Sequence, residues 1–522
     1  MREEGDDTTM RIATDRGRSV AVACVAIYLA VVCGLLVAIL HRDHEVFTYT
    51  LDDPYIHLAL ARSLAHGHYG INVGEVSSPS SSVVWPFLLT PFVGWAWGEY
   101  VPLGLNVLFC GTAAWGIGRF VDGLRVGMSW GARLGVACAL MLAGNLAGLT
   151  FVGMEHGLQV MLAIGCAAGV AEAYRGRGIP ALCVWAAAVG PMVRYENFAL
   201  VVAVGIALWG QGRLRAAVQM AGASLVGPVL FSLFLVTRGL PALPTSVLVK
   251  ARMYAAAGSA AATVMGTHLL REWAWWGLVA LAGMLVWLMV REKDRERRWV
   301  LAGAVVVAAM QLAVGRFNWF HRYEVYAVVF TATAAAMALV ERVRVPVWCV
   351  TLGLLALAWP YEQALWETPA AASNVYQQQY QMGRFEADFY KGAVAVNDLG
   401  WVSYRRRAGV YVLDLWGLAS PESARKAIKD ADWLDAVTAA HGAGLAMIYP
   451  EWFDEGAPDD WTPLGTMCVA GERVSVGRKC VVFYSTGVGD RAALTAEMAA
   501  FARTLPEGVR MTVGRDSTDE DE

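Results

Sequence analysis

Two adjacent carboxylates, Asp52 and Asp53, precede Pro54 and Tyr55 just beyond the first long apolar segment, Ser19 to Leu40. In the run that follows, from Ile56 to Ala65, apolar residues recur at three- and four-residue steps, the pattern of an interfacial amphipathic helix. Asp52 falls near its N-cap and Pro54 in its first turn. A helix cap accounts for one carboxylate and leaves the other to do chemistry, such as taking a proton. Four more segments carry groups of this kind. Gly153-Met154-Glu155-His156-Gly157 places a charged pair at the junction of two apolar stretches. A mid-bilayer acid costs about 2.5–3.5 kcal/mol, so Glu155 belongs at a helix end or in a wet cavity. Arg194-Tyr195-Glu196 offers a guanidinium suited to a phosphate, or an ion pair that closes a tight hairpin. The stretch Thr237–Glu272 contains Leu243-Pro244-Thr245-Ser246 and Lys250-Ala251-Arg252, which suits an anionic head group or plain lipid anchoring. In Arg316-Phe317-Asn318-Trp319-Phe320-His321-Arg322-Tyr323-Glu324, charges are set among aromatics that would otherwise be interfacial belt residues.

The elements that must position these residues are membrane helices. The 522 residues are 57% hydrophobic and only 17% charged, with mean hydropathy +0.44. A soluble domain carries about 25% charged residues. Apolar runs of about 17–25 residues recur, the length that spans a bilayer. The 21 tryptophans fit its interfaces, and a net charge of −3 gives no footing for nucleic acid. Arg11, Arg16 and Arg18 precede the first apolar segment, which reads as an uncleaved signal anchor. Basic clusters at Arg119/Arg125/Arg133, Arg175/Arg177, Arg213/Arg215, Arg291 to Arg298 and Arg342/Arg344 mark cytoplasmic turns. All of them fall on one side if Val83–Trp97, short and containing Pro86 and Pro91, is a juxtamembrane or re-entrant element. Roughly eleven spans result, over 19–40, 101–118, 134–151, 157–173, 179–193, 197–210, 216–236, 273–290, 299–314, 323–340 and 345–360. The five candidate segments then share the outer side.

Past Tyr361 the pattern changes. Asn374–Tyr390 reads as a polar helix. Strand-like runs follow at Gly392–Val396, Val410–Leu413, Leu445–Tyr449, Gly465–Val469 and Cys480–Tyr484, with helices near Ala431–Ala440 and Arg491–Arg503. This is a small α/β domain. The organisation is a cytoplasmic segment over 1–18, a membrane domain over 19–360 with its first outer loop at 41–100, an extracytoplasmic α/β domain over 361–505, and an acidic tail over 506–522. Seven of the nine cysteines lie in apolar segments as small hydrophobes. Cys468 and Cys480, at the ends of two strands in an oxidising compartment, are expected to form a disulfide. No CxxC or His/Cys cluster points to a metal.

These residues resemble the GT-C superfamily of membrane glycosyltransferases, in particular the mycobacterial arabinofuranosyltransferase branch. The matching residues are Asp52-Asp53-Pro54-Tyr55 with Ala61-Arg62-Ser63-Leu64, Gly153-Met154-Glu155, Arg194-Tyr195-Glu196, Leu243-Pro244-Thr245 with Lys250, Asn397-Asp398-Leu399-Gly400 and Asp414-Leu415-Trp416-Gly417-Leu418. The resemblance implies a polytopic GT-C fold and a polyprenyl-phosphate-linked sugar donor. A first-loop carboxylate would serve as base, with inversion at the anomeric carbon. The acceptor would be an envelope glycan, lipid or protein on the extracytoplasmic face of a bacterial inner membrane. It implies catalytic roles for Asp52, Asp53 and Glu155, and donor-phosphate or substrate contacts for Tyr55, Arg62, His156, Arg194, Glu196, Lys250, His321 and Arg322. The inventory suits that reaction, which needs a base, cations for the leaving phosphate and an apolar groove. A divalent metal bridging Asp53, Glu155 and the phosphate fits the chemistry but is not required by the spacing. Tyr195 stands where the family has Pro, His156 where Thr is common, and Ser77–Ser82 where a Gly-Tyr-Thr-like stretch occurs. These departures leave the role of Arg194 and the identity of the sugar open. The alternatives are a transporter or lipid flippase, which calls for mid-membrane charges and paired halves, and a non-catalytic envelope-assembly subunit.

Overall fold

The computed structural model describes residues 19–124, 127–249 and 272–514. Among the described residues eight helices are long and apolar enough to cross a membrane: Val20–Arg42, Gly98–Asp122, Trp130–Val152, His156–Tyr174, Leu214–Thr237, Trp273–Arg291, Arg295–Val314 and Val325–Val343. The shorter apolar helices Ala181–Val193 and Tyr195–Gly210 fall on two further expected spans. The last expected span differs. It opens a 31-residue helix, Val347–Gln377, which absorbs the start of the polar helix expected from Asn374. A change from apolar to polar composition is not a helix stop, and Ala364, Leu365 and Ala370–Ala372 are strong helix formers. Gln379–Arg384 and a π turn at Phe385–Phe389 complete the stretch. Within Val83–Trp97 the structure has only a five-residue helix, Trp85–Leu89, and a single 3₁₀ turn, Thr90–Phe92, each with proline in its first turn. Neither is long enough to cross a bilayer.

The chain divides into two compact units. The first comprises residues 1–35, 103–229 and 257–366. All residues of its Val325–Ala338 segment are buried, as expected of a helix that is apolar all round. Its helices approach closely where side chains vanish: a Cβ on Gly303 would meet the Ala203 backbone, and one on Gly118 that of Ala21. Polar contacts join four of the basic turns. Arg175 pairs with Glu341 at 2.7 Å and with Glu172 at 3.1 Å. Arg297 donates to the Tyr174 carbonyl at 2.9 Å, Arg213 to that of Ile179 at 3.2 Å, and Gln211 to that of Arg177 at 2.9 Å. The turns near 175, 212, 295 and 342 therefore gather at one end of this unit.

The second unit comprises residues 36–102, 230–256 and 367–522. Its centre is a six-stranded sheet of order β2-β1-β3-β5-β4-β6, with β1 Ala393–Val396, β2 Val412–Asp414, β3 Ala443–Ile448, β4 Thr462–Cys468, β5 Cys480–Ser485 and β6 Arg510–Val513. β1 runs parallel to both β2 and β3, and the remaining pairs are antiparallel. The parallel strands are almost wholly buried and read as unbroken apolar runs, as strands covered on both faces do. Leu434 and Val437 of helix Ala431–Ala440 pack with Ala395, Leu413, Ala446 and Ile448 in one core. The edge of β2 is closed by a side chain. Asn72 donates to Val412 O at 2.9 Å and accepts from Val412 N at 3.0 Å, adding one rung to the ladder. β6 corrects the expected boundary, because it pairs with β4 inside the stretch assigned to the acidic tail. Four residues following Pro506 and Gly508 are too short a run to stand out by alternation. Cys468 and Cys480 are register partners across β4 and β5 and form the expected disulfide, with Cα atoms 4.1 Å apart.

Candidate active site

Each unit gathers a set of the expected residues. In the second, Pro54 opens helix Asp53–Ala65 and Asp52 occupies its N-cap position. The Asp52 side chain makes no bond to that helix. It accepts instead from Gly400 N at 2.6 Å and Trp401 N at 2.8 Å. One carboxylate oxygen thus serves each of two amides at the start of helix Gly400–Arg405, where the helix dipole also favours negative charge. Any side chain at Gly400 would overlap Asp52. Two residues earlier, Asp398 accepts from Gln379 Nε2 at 3.0 Å and from the Tyr449 hydroxyl at 2.9 Å. Gln378 Oε1 lies 2.5 Å from the same hydroxyl, competing with Asp398 for its one proton, and the Tyr449 backbone amide donates to Asn397 Oδ1 at 2.8 Å.

Three carboxylates share this site, and their charges interact. Burial, then the neighbouring Asp398 charge, raise Asp52 well above the ordinary aspartate range against the pull of its two amides, with Asp53 adding a smaller push. Burial raises Asp398 to about 6, opposed by Gln379 and Tyr449 and reinforced by Asp53 and Asp414. Like charges in a partly desolvated site do not ionise independently. Asp53 is half-buried, and as the next helical residue it points away from Asp52.

Tyr55 and Arg62 form the wall of this site. The Tyr55 hydroxyl accepts from Tyr49 N at 3.1 Å, and its ring lies 3.9 Å from that of Trp401. Tyr55 is 1% exposed. The Arg62 guanidinium sits 3.9 Å above the Tyr404 ring and donates to the Tyr404 carbonyl. Both therefore brace helix Asp53–Ala65 against helix Gly400–Arg405, a packing role where the resemblance implies substrate contact.

In the first unit Tyr323 is the hub. The guanidinium carbons of Arg194, Arg316 and Arg322 lie 5.4, 5.5 and 4.9 Å from its ring centroid, and the His156 ring lies 5.7 Å away. Arg322 Nη2 donates to the Tyr323 hydroxyl at 2.9 Å. Arg194 has extended backbone between helix Ala181–Val193 and the next turn. Its side chain bridges Glu155 at 2.7 Å and Glu196 at 2.7 Å. The ion pair and the phosphate contact that the sequence leaves open for Arg194 differ here: two carboxylates already balance this guanidinium. Arg316 and Arg322 flank the same ring, Arg322 through both its guanidinium and the Tyr323 hydroxyl. The segment that carries them is held in an unusual shape. Asn318, Trp319, Phe320 and His321 all have φ between 48° and 66°. Such backbone costs about 1–2 kcal/mol per residue and persists where surroundings over-determine it. The ties are visible: Asn318 N and His321 Nδ1 each bond to Glu324, at 3.1 and 3.0 Å, Asn318 Nδ2 donates to Glu272 at 3.0 Å, and Asn145 donates to the His321 carbonyl at 3.3 Å.

The sequence places Asp398 in a stretch that carries the resemblance but gives it no role, and it does not single out Gln379, Tyr449 or the hub position of Tyr323. The usable signal was positional, since Asn397-Asp398 and Tyr449 directly follow the parallel strands β1 and β3. Lys250 lies outside the described residues. Among the described residues no three His, Cys, Asp or Glu side chains are grouped to hold a metal ion.

Comparison with known proteins bears on the fold. Residues 372–484 match the family described as a domain of unknown function, DUF8728. Among curated proteins, none matches the sequence. The structure is similar to the oligosaccharyltransferase of Archaeoglobus fulgidus crystallised with Zn and sulfate, at TM-score 0.51 and 10% identity, over 92% of this chain and 74% of that one. Weaker likenesses are to the Archaeoglobus fulgidus oligosaccharyltransferase AglB with an inhibitory peptide and a dolichol-phosphate (TM-score 0.47, 9% identity, 84% of this chain and 73% of that one), and to the arabinofuranosyltransferase AftD from Mycobacteria (TM-score 0.42, 15% identity, 89% of this chain and 42% of that one). The chain has the GT-C-like fold, a polytopic helical membrane protein with a small C-terminal α/β domain.

Proposed function

We propose that this chain is a membrane glycosyltransferase. It transfers a sugar from a polyprenyl-phosphate donor to an acceptor hydroxyl, with inversion, on the extracytoplasmic face of a bacterial cytoplasmic membrane. The observation that carries the reading is the division of labour in the first-loop acid pair. Asp52 caps two backbone amides at the start of another helix, and the base is assigned to Asp53. Asp53 takes the acceptor proton as the acceptor oxygen bonds to the anomeric carbon. The bond from that carbon to the phosphate oxygen breaks with its electron pair, and prenyl phosphate departs. The cluster around Tyr323, with Arg322, His156 and His321, is the proposed contact for the donor phosphate. Glu155 and Glu196 set the orientation of Arg194. The gathering of four basic turns at one end of the first unit supports their sharing the cytoplasmic side.

The test is transfer from a synthetic prenyl-phosphate sugar by purified protein in detergent. Asp53→Asn is expected to lower the rate by about 10²–10⁴, the usual contribution of a general base. Near-normal turnover by both Asp53→Asn and Asp52→Asn would remove the glycosyltransferase reading and turn attention to transport.

A further inference from the structure

At the carboxyl ends of β1 and β3 lies a set of polar groups that the proposed chemistry does not use. The chain leaves β1 for β2 on one side and returns to β3 on the other. The gap between β1 and β3 is therefore a topological switch point, where open α/β sheets bind ligands. Two deeply buried amides flank it. Asn397 and Gln379 are each 2% exposed. Asn397 spends Oδ1 on Tyr449 N, while its Nδ2 has no hydrogen-bond partner among the described residues. Gln379 spends Nε2 on Asp398, while its Oε1 has none among the described residues. A buried polar atom left in this state is costly and calls for a partner. Here the used half of each amide fixes the direction of the unused half. Asp398 stands between them, half-exposed, with Asp52 and Asp53 close enough to share its electrostatics.

The geometry points to a subsite for a neutral polyol, the acceptor glycan of the proposed reaction, bound through adjacent hydroxyls by Asp398, Asn397 Nδ2 and Gln379 Oε1. The donor and acceptor pattern selects this class. A phosphate is anionic and would meet three carboxylates. An ammonium only donates, so it would leave Asn397 Nδ2 unmatched. A hydroxyl both donates and accepts, and two neighbouring hydroxyls satisfy all three groups. The inference rests on the glycosyltransferase reading for the word acceptor, but not for the binding itself.

The experiment uses the full chain in detergent and two readouts. Saturation-transfer NMR follows binding of neutral tetrasaccharides built from pentofuranose or hexopyranose units, with inorganic phosphate and a lysine-rich peptide as contrasts. Steady-state transfer gives separate KM values for acceptor and donor. Asn397→Asp keeps the bond to Tyr449 N and deletes the donor. Gln379→Met keeps the shape and deletes the acceptor. Each is expected to weaken tetrasaccharide binding and raise acceptor KM about tenfold, the worth of one lost hydrogen bond, while donor KM does not follow. Thermal unfolding shows whether either variant is misfolded, in which case the other decides. Tetrasaccharide binding that both variants lose, without any transfer by wild type, would keep the subsite and refute the transferase. Transfer with acceptor KM unmoved by both variants would refute the subsite and keep the transferase. Wild-type preference for phosphate or peptide over the tetrasaccharides would overturn the subsite outright.

Discussion

Asp398 keeps its proton to about pH 6, and this makes stability pH-dependent with a definite sign. Between its ordinary value of 3.8 and about 6, the folded state holds more proton than the unfolded state. Stability contributed by this group therefore falls as pH rises through that window and stays low above it. Wild-type protein is expected to show a higher Tm at pH 5 than at pH 7. Asp398→Asn should flatten that difference, which differential scanning calorimetry at the two pH values would measure. Glu386, raised by burial to about 7, adds to the same trend and remains in the variant, so the comparison between proteins carries the test. The acid pair separates in a second way. Asp52→Ala removes a helix cap and should cost about 0.5–2 kcal/mol of stability, read by thermal unfolding, whereas Asp53→Asn should cost rate. The sequence marked both aspartates but could not rank them. Capping is ordinarily a local event, and the amides that Asp52 caps belong to Gly400 and Trp401, 348 and 349 residues away. The contact of Asp52 with Gly400 and Trp401 favours Asp53 as the base of the proposed reaction.

Among the elements, the best-read parts of the sequence were those governed by one physical length. Apolar segments must span a bilayer, so their positions were legible to within a few residues from Val20 to Val343. The strands β1 to β5 were legible because buried runs such as Ala443–Ile448 contrast with their polar surroundings. Less legible were junctions where polarity changes and helix continues, as across Glu362 in Val347–Gln377, and β6, which is defined by pairing with β4. The left-handed run Asn318–His321 had no signal, since none of its residues is glycine and its shape is imposed by Glu324, Glu272 and Asn145. At β4 and β5 the disulfide closes a loop with a sequence separation of 12. Replacing Cys468 and Cys480 together by Ser should lower stability by about 3 kcal/mol in the chain-entropy account, visible as a lower Tm that dithiothreitol reproduces in wild type.

For the whole molecule, the question is sidedness. If the basic turns are cytoplasmic, the segment near Ala242 and the sheet domain share the outer face. Cysteines placed at Ala242 and Asp459, both exposed, should label with an impermeant maleimide in intact spheroplasts, in a background where the exposed Cys33 is Ser. Protection of both would reverse the orientation. One feature of the second unit also sets a timetable. Asp52 leaves the ribosome 348 residues before the amide of Gly400 that it must grasp. At about 5–20 residues synthesised per second this gap lasts roughly 20–70 s. Throughout it the first loop waits without the helix that Asp52 will cap, so the acid pair takes its final arrangement only after Gly400 and Trp401 have been made. A ribosome that stalls before codon 400 would leave a chain whose Asp52 has no amide to cap.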